Sequence, residues 1–454
     1  AGAAAGREEP QSTPGRPPGH SIRQGRYCAV MTPTHSPHCV FPKVLPMRDR
    51  AALVEKALRK RLDTVLPLAM REAELDMWLI LCQEDNHDPV FNTLIPMDTW
   101  CPILQILVFY DRGEQGIERI NLSMTGTKDL YDRPWSGQRF EEQWPLLRQI
   151  IEERNPRRIG INIGSVQWAA GGLTHNLYLQ LTGALGPELS GRLVSAEPAA
   201  TRWLATLTDV DIEMHEHVVR VAHRLLAECY SDRAITPGAT TTDDLEWYYW
   251  QRAADLGLEM AFKPFFTLVR SEESCRRFGA DDRTIRQGDF VRSDVGIKYM
   301  GLNSDHQQWA YVLRPGERQA PEGFRALMAQ ANRLQDIFMS EFEAGLTGNE
   351  ILSRILARAH HEGLPKPKVY SHSLGLYLHE PGPLIGLPWE QEWCEGRGDV
   401  RLAENMAFTM ELGVRGMVPE WPGQEIGMGL EEDVLFSGGQ CRPIDGRQTE
   451  FYLV

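Results

Sequence analysis

The sequence predicts two fold classes in one chain: an α/β domain over residues 47–208, then an α+β domain with an antiparallel sheet over 209–454. Three observations predict this. At 454 residues the chain is too long for a single hydrophobic core. Between 77 and 163, short apolar runs alternate with amphipathic helical patterns, the order of an α/β sheet. From 288 to 313 the pattern changes to strand, turn, strand, and the remainder mixes helices with further strand-like runs.

Residues 1–46 include "AGAAAGREEPQSTPGRPPGH" and "MTPTHSPHCVFPKVLP". They are rich in Pro, Gly, Ser and Thr, with too little periodic apolar content to offset the entropy of ordering, so they are read as a disordered leader. Residues 48–72 are read as the first helix. "MWLILC" (77–82), "ILQILVFY" (103–110), "IERINL" and "RRIGINI" have strand length and composition, and "EEQWPLLRQIIEERN" is an amphipathic helix. "GINIGS" lacks the G-x-G-x-x-G spacing of a phosphate-binding turn, so this half reads as a substrate-shaping or dimerisation domain. The helix "DVDIEMHEHVVRVAHRLLAECYSD" carries His215, His217 and His223. No Cys or carboxylate nearby in sequence completes a metal set with them, so they read as core or surface histidines, as do His35, His38, His360 and His361. "EGFRALMAQANRLQDIFMSEF" and "TGNEILSRILARAHHEG" are the later helices.

Composition excludes several functions. Net charge is −14 and no basic cluster is dense enough to follow a phosphate backbone, so nucleic acid is excluded as a partner. No apolar run reaches the length of a membrane span. The eight cysteines are scattered and form no C-x-x-C pair, and the N-terminus lacks a signal-peptide core, so a cytoplasmic protein with reduced thiols is expected.

The chemistry concentrates in the second half. In "GDFVRSDVGIKYMGLNSDHQQWAYVL" (288–313), Asp294 and Asp305 lie one in each arm of the hairpin. A two-residue turn centred between 299 and 300 sets them directly opposite, within about 5 Å at Cβ on one face. Two carboxylates that close repel unless a proton or a cation lies between them. Glu411 follows the apolar run of "NMAFTMELGV", and Glu431 and Glu432 precede the strand "VLF". "HSLGLYLHEPG" adds His372 and His379, seven apart, which share a site only if the chain bends near Gly375 or Gly382-Pro383. Carboxylates with one imidazole suit divalent ions of the Mn, Co, Fe or Zn type.

The order D-x10-D, H-x6-H, Glu, then E-[DE]-D resembles the metal-dependent peptidases of the pita-bread fold, among them methionine aminopeptidase, aminopeptidase P and prolidase, with the metal-free creatinase. The resemblance spans roughly residues 47–454, with a creatinase/prolidase-like N-terminal domain. It implies two divalent metals: Asp294 a terminal ligand of one, Asp305 and Glu431 bridging, His372 and Glu411 completing the second. Glu411 is then also the proton carrier, and His379 binds substrate and steadies the tetrahedral intermediate. Glu432 turns to the other face by strand alternation, and so does His306 beside Asp305. Homodimerisation is implied as well.

Departures from the family pattern bear on the substrate. The usual histidine about eleven residues before the Gly-Asp of the aspartate strand is missing, with Arg277 and Phe278 in its place. Gly429 stands where an arginine is frequent, and "HQQW" follows the second aspartate. The leading expectation is an Xaa-Pro aminopeptidase or dipeptidase acting on a peptide or small amide. Two alternatives are a metal-dependent hydrolase or lyase of a small non-peptide substrate, and a binding module without catalysis.

Overall fold

A computed structural model describes residues 41–135, 137 and 139–454. Helix α1 (Met47–Glu72) buries Leu58, Leu62, Val65, Leu66, Ala69 and Met70, the three-and-four spacing of a one-sided helix. Strand β1 (Met77–Gln83) follows, and then a single turn, α2 (Pro89–Asn92), capped by the Asp88 carboxylate accepting from Val90 N at 2.7 Å. The sequence continues through β2 (Leu104–Asp111), β3 (Ile117–Asn121), α3 (Gln143–Arg154), β4 (Ile159–Ile161), α4 (His175–Ser190), β5 (Leu193–Ser195) and α5 (Glu197–Ala205). The strands form one mixed sheet, β3-β2-β1-β4-β5, antiparallel between β1 and β2 and parallel across β1, β4 and β5. β1 is apolar from Met77 to Cys82 because both faces are covered. Trp78, Ile80 and Cys82 pack with α1 and α5, and Met77, Leu79 and Leu81 pack with α3 and α4.

The second half begins with α6 (Asp209–Cys229) and α7 (Thr242–Asp255). Both open on a capping box, Thr208 with Asp211 and Thr241 with Asp244. Next come β6 (Glu259–Met260), β7 (Phe265–Val269), α8 (Glu272–Phe278), β8 (Phe290–Asp294), β9 (Ile297–Tyr299), β10 (Leu302–Asn303) and β11 (Trp309–Tyr311). After them lie α9 (Glu322–Ser340), α10 (Gly348–His361), β12 (Lys368–Tyr370), β13 (Met406–Thr409), β14 (Glu411–Met417), β15 (Glu425–Leu430), β16 (Asp433–Ser437), β17 (Gln440–Pro443) and β18 (Tyr452–Leu453). Short sheets, β18-β11-β8-β7, β10-β9-β6, β12-β14-β15 and β13-β16-β17, are stitched by bridges such as Val295 to His306 and Gln307 to Glu431. Helices cover both sides. Phe290, Trp309 and Tyr311 pack with α9 and α10, whereas Val291, Ala310 and Val312 pack with α6 and α7. This α/β region followed by a helix-covered antiparallel region is the pita-bread architecture.

Two expectations change. The hairpin turn lies one residue later than expected: Tyr299 pairs with Leu302, Val295 bridges His306 and Arg292 pairs with Trp309. Asp294 therefore opposes Gln307, and Asp305 opposes Gly296. The cause is the turn itself. A tight two-residue hairpin turn with both central φ angles positive is made by Met300 (φ 54°) and Gly301 (φ 76°), and glycine takes that conformation without strain. The expected turn would instead have put Tyr299, a buried core residue, at such a position. A slip of two in the pairing keeps every side chain on its face. Asp294 and Asp305 thus still share a face, but as diagonal neighbours about 7–8 Å apart and not directly opposite.

The second change concerns residues 41–46, expected within the leader. Phe41, Val44 and Leu45 pack against the α6–α7 core, Leu45 N donates to Tyr299 Oη at 2.8 Å, and Arg50 Nε donates to Leu45 O at 2.7 Å. Three apolar residues in six provide burial that composition averaged over the whole leader conceals. The rest of the expected leader, 1–40, lies outside the described residues.

The close approach at Gly296 yields a test of this register. A Cβ there meets the Ser304 carbonyl oxygen, the Phe262 ring at 2.8 Å and Ala261 Cβ at 3.2 Å. Gly296→Ala is expected to cost about 1–3 kcal/mol in urea unfolding. An unchanged midpoint would refute the pairing of Gly296 with Asp305.

Candidate metal centre

Five chain segments meet at the core of the second half. Segment 293–295 pairs with 306–308, Gln307 bridges Glu431, Thr409 pairs with Asp433, and Thr409 N donates to His372 O at 2.9 Å. Strand alternation turns Asp294, Asp305, Gln307 and Glu431 to one face. Glu411, the first residue of β14, and His372, two residues beyond β12, close that face.

Asp305, His372 and Glu431 each present a ligand atom, all within 4.8 Å of one another, and His372 Nε2 lies 3.8 Å from Asp305 Oδ2. Gln307 Nε2 joins the other two acids, donating to Asp294 Oδ2 at 3.3 Å and Glu411 Oε1 at 3.0 Å. All five residues named from sequence as ligands converge. Gln307 was not foreseen. Only the register, which sets it opposite Asp294, reveals its role.

The electrostatics of this face are unfavourable for protein atoms alone. Burial, with the neighbouring Asp294, Asp433 and Glu411, raises the Asp305 carboxyl well above its ordinary range. Burial, with Asp305, Glu411 and Asp294, does the same to Glu431. Burial pushes His372 down to about 3, so its imidazole is neutral, and Nδ1 donates to the Ser373 carbonyl at 3.2 Å, which leaves Nε2 as a lone pair facing Asp305. Asp305 Oδ1 and Glu431 Oε1 are buried with no hydrogen-bond partner among the described residues. Bare buried oxygens, crowded carboxylates and one correctly presented imidazole fit divalent cations.

His379 reaches the same place by a chain reversal. Glu380 N donates to Ser373 O at 2.9 Å and Gly382 N to Ser373 Oγ at 2.9 Å, closing the loop and leaving the His379 ring 4.3 Å from that of His372. The loop leans on the first half of the chain, since Tyr377 Oη donates to Pro89 O at 2.7 Å. Beside it, Glu380 is buried and pushed up to about 8, first by that burial, with the Arg61 guanidinium opposing.

Two arginines join the site unannounced. Arg292 Nη2 stands 3.5 Å from where a Cβ on Gly429 would be, so a guanidinium lies beside the position where the resemblance leads one to expect an arginine. Its charge favours the ionised forms of Asp294 and Glu411. Arg397 acts electrostatically on His372 and His379 and stacks 4.9 Å from the exposed Trp168 ring. Arg277, by contrast, is an exposed residue of α8.

The crowding has a pH signature in metal-free protein. Burial, then Asp294, raises Glu411 from an ordinary 4.5 to about 7. A carboxyl raised on folding binds protons more tightly in the native state, so its stabilising contribution is present below 4.5 and lost as pH rises through about 7. Chelated protein is expected to lose melting temperature across that window, and added divalent metal to flatten the loss. A chelated protein that gains stability across the window would contradict this account.

Comparison with known proteins supplies the family. Residues 213–437 match metallopeptidase family M24. Among solved structures, an X-Pro aminopeptidase from Thermotoga maritima superposes with a TM-score of 0.59 at 16% identity, over 85% of this chain and all (100%) of that one. An Xaa-Pro dipeptidase from Bacillus anthracis gives 0.57 at 17% identity, covering 88% and 100%. The dipeptidase PepE of Mycobacterium ulcerans gives 0.56 at 17%, covering 89% and 98%. At these identities the likeness is one of fold. A search of curated proteins finds no match. The matched segment encloses every residue of the buried carboxylate face, so this chain carries a metallopeptidase family M24 domain over residues 213–437.

Proposed function

We propose that this protein hydrolyses a peptide bond near a free N-terminus, with Xaa-Pro peptides as its first substrates. The observation that carries the reading is the pair of bare, buried oxygens, Asp305 Oδ1 and Glu431 Oε1, within a crowded carboxylate cluster that divalent cations would neutralise. In this reading Asp294, Asp305, His372, Glu411 and Glu431 hold two divalent ions, with manganese first and cobalt, zinc or iron as alternatives. Such ions supply Lewis acidity and a nucleophilic water at neutral pH.

The chain's own groups do the rest. Glu411, its Oε1 held by Gln307, accepts a proton from the attacking water and returns it to the leaving nitrogen. His379, set against His372 by the chain reversal, donates to the substrate carbonyl as negative charge develops there. Arg397 and Arg292 give the site two positive charges suited to a short peptide's carboxylate. The names of the superposed structures, X-Pro aminopeptidase and Xaa-Pro dipeptidase, support this substrate class. The first domain, 47–208, shapes the site through the contact of Tyr377 with Pro89, and a homodimer is part of the reading. Among the described residues Cys82, Cys101, Cys229, Cys275, Cys394 and Cys441 form no disulfide, which suits a reducing, cytoplasmic setting.

One observation favours a second reading. The pattern near Arg277 and Gly429 departs from the peptidases, and Arg292 enters from another strand, so a small non-peptide amide is an alternative substrate on the same metals. Screening N-acyl and amidino compounds beside Xaa-Pro peptides separates the two.

The expected result is cleavage of Xaa-Pro peptides by metal-loaded protein and its loss in chelator. His372→Ala should lose bound metal, and His379→Ala should keep it while kcat falls about 10²–10³-fold. Metal-loaded protein that cleaves no N-terminal bond would overturn the peptidase reading. A metal-free preparation that cannot be loaded would favour a binding module.

A further inference from the structure

The strands that carry Asp305 and Glu431 have a second face. Directly after those residues come His306 and Glu432, which alternation turns away from the carboxylate centre toward α6. There they meet His223, so a set of the kind that sequence neighbours could not complete is assembled from three distant segments. His223, His306 and Glu432 present ligand atoms within 4.8 Å of one another.

The arrangement is specific. Glu432 Oε1 is held by Gln308 Nε2 and Gln448 N, each at 2.8 Å. Its Oε2 is left facing His223 Nε2 at 2.9 Å and His306 Nδ1 at 3.6 Å. Two donors about 2.1 Å from one tetrahedral zinc ion stand about 3.4 Å apart, and these separations bracket that value. The imidazole of His306 is 0% exposed, and neither of its nitrogens has a hydrogen-bond partner among the described residues. A polar ring buried in that state is costly unless something else binds it. The outer nitrogens also face acids: His223 Nδ1 lies 3.3 Å from Asp445 Oδ2, and His306 Nε2 lies 3.7 Å from Asp433 Oδ2. Carboxylates behind metal-bound imidazoles orient the rings and raise their basicity.

We propose that His223, His306 and Glu432 form a further metal site, separate from the carboxylate centre, that takes one borderline transition-metal ion of the zinc class. Two nitrogens and a single oxygen favour such an ion over magnesium or calcium, which prefer all-oxygen sets. The site is structural in placement. It clamps α6 to the two strand segments whose opposite face carries Asp305 and Glu431. It does not depend on the peptidase reading, because none of its ligands belongs to the first centre.

The probe is zinc ion on the full chain. Crystals grown with zinc should show an anomalous peak at the zinc edge between His223 Nε2, His306 Nδ1 and Glu432 Oε2. In solution, zinc-saturated and desalted His223→Gln should hold one equivalent less than wild type by elemental analysis. Asp445→Asn should weaken zinc binding about 10- to 100-fold at the same site. No anomalous density at these three residues, with the carboxylate centre filled, would overturn the proposal whatever the variants do. Equal zinc content in wild type and folded His223→Gln would overturn it as well. Loss of peptide cleavage with the anomalous peak retained would count against the catalytic reading alone.

Discussion

Repulsion among buried carboxylates is the constraint around which the second half of the molecule is arranged. Asp294, Asp305, Glu411 and Glu431 lie on one face; burial raises each of them above its ordinary range, and neighbouring carboxylates add to this for Asp305, Glu411 and Glu431. Such a cluster persists only if the backbone beneath it cannot yield. The backbone here is stiffened from several directions. The hairpin is closed by Met300-Gly301, Gln307 and Glu431 exchange two backbone hydrogen bonds at 3.1 and 3.0 Å, and Asp433 accepts from Asp305 N at 3.2 Å. Both faces of the surrounding strands are packed by helices, α9 and α10 on one side and α6 and α7 on the other.

The first half of the chain contributes by holding the loop that carries His379. The 374–380 loop is pinned at Tyr377 to Pro89. Glu380, next to His379, feels the charge of Arg61 on α1, a side chain 2% exposed that donates to Trp203 O at 2.6 Å. Arg61 also lies 3.8 Å from Asp211, itself fixed by the Thr208 capping box at the start of α6. A helix cap, a buried cation and the loop that carries His379 are thereby connected through contacts.

Much of this was legible from residues. Helices at 48–72 and 143–154 and the first strands follow from apolar periodicity, and the five clustered residues are those that the resemblance to the pita-bread peptidases implies. The hairpin register was legible only in part. Gly301 marks the turn, but pairing shifted by two leaves the same faces buried, so hydrophobic pattern alone cannot separate the two registers. Residues 41–46 were hidden because three apolar side chains are diluted in a Pro- and Gly-rich context. His223 was dismissed because its partners are 83 and 209 positions away, as numbering shows, and no local pattern reports such distances.

The sequence by itself determined which residue types were available and which face each would take. Period-two alternation sets His306 on the opposite side from Asp305, and Glu432 on the opposite side from Glu431; the bridge between Gln307 and Glu431 then puts the two acids on a common face. Tertiary structure decided who meets whom. It brought Gln307 between Asp294 and Glu411, Arg292 into the space over Gly429, and His223 to Glu432. The physical reason is that facing is a local property of backbone geometry, whereas adjacency across strands and helices follows from long-range packing of four apolar cores.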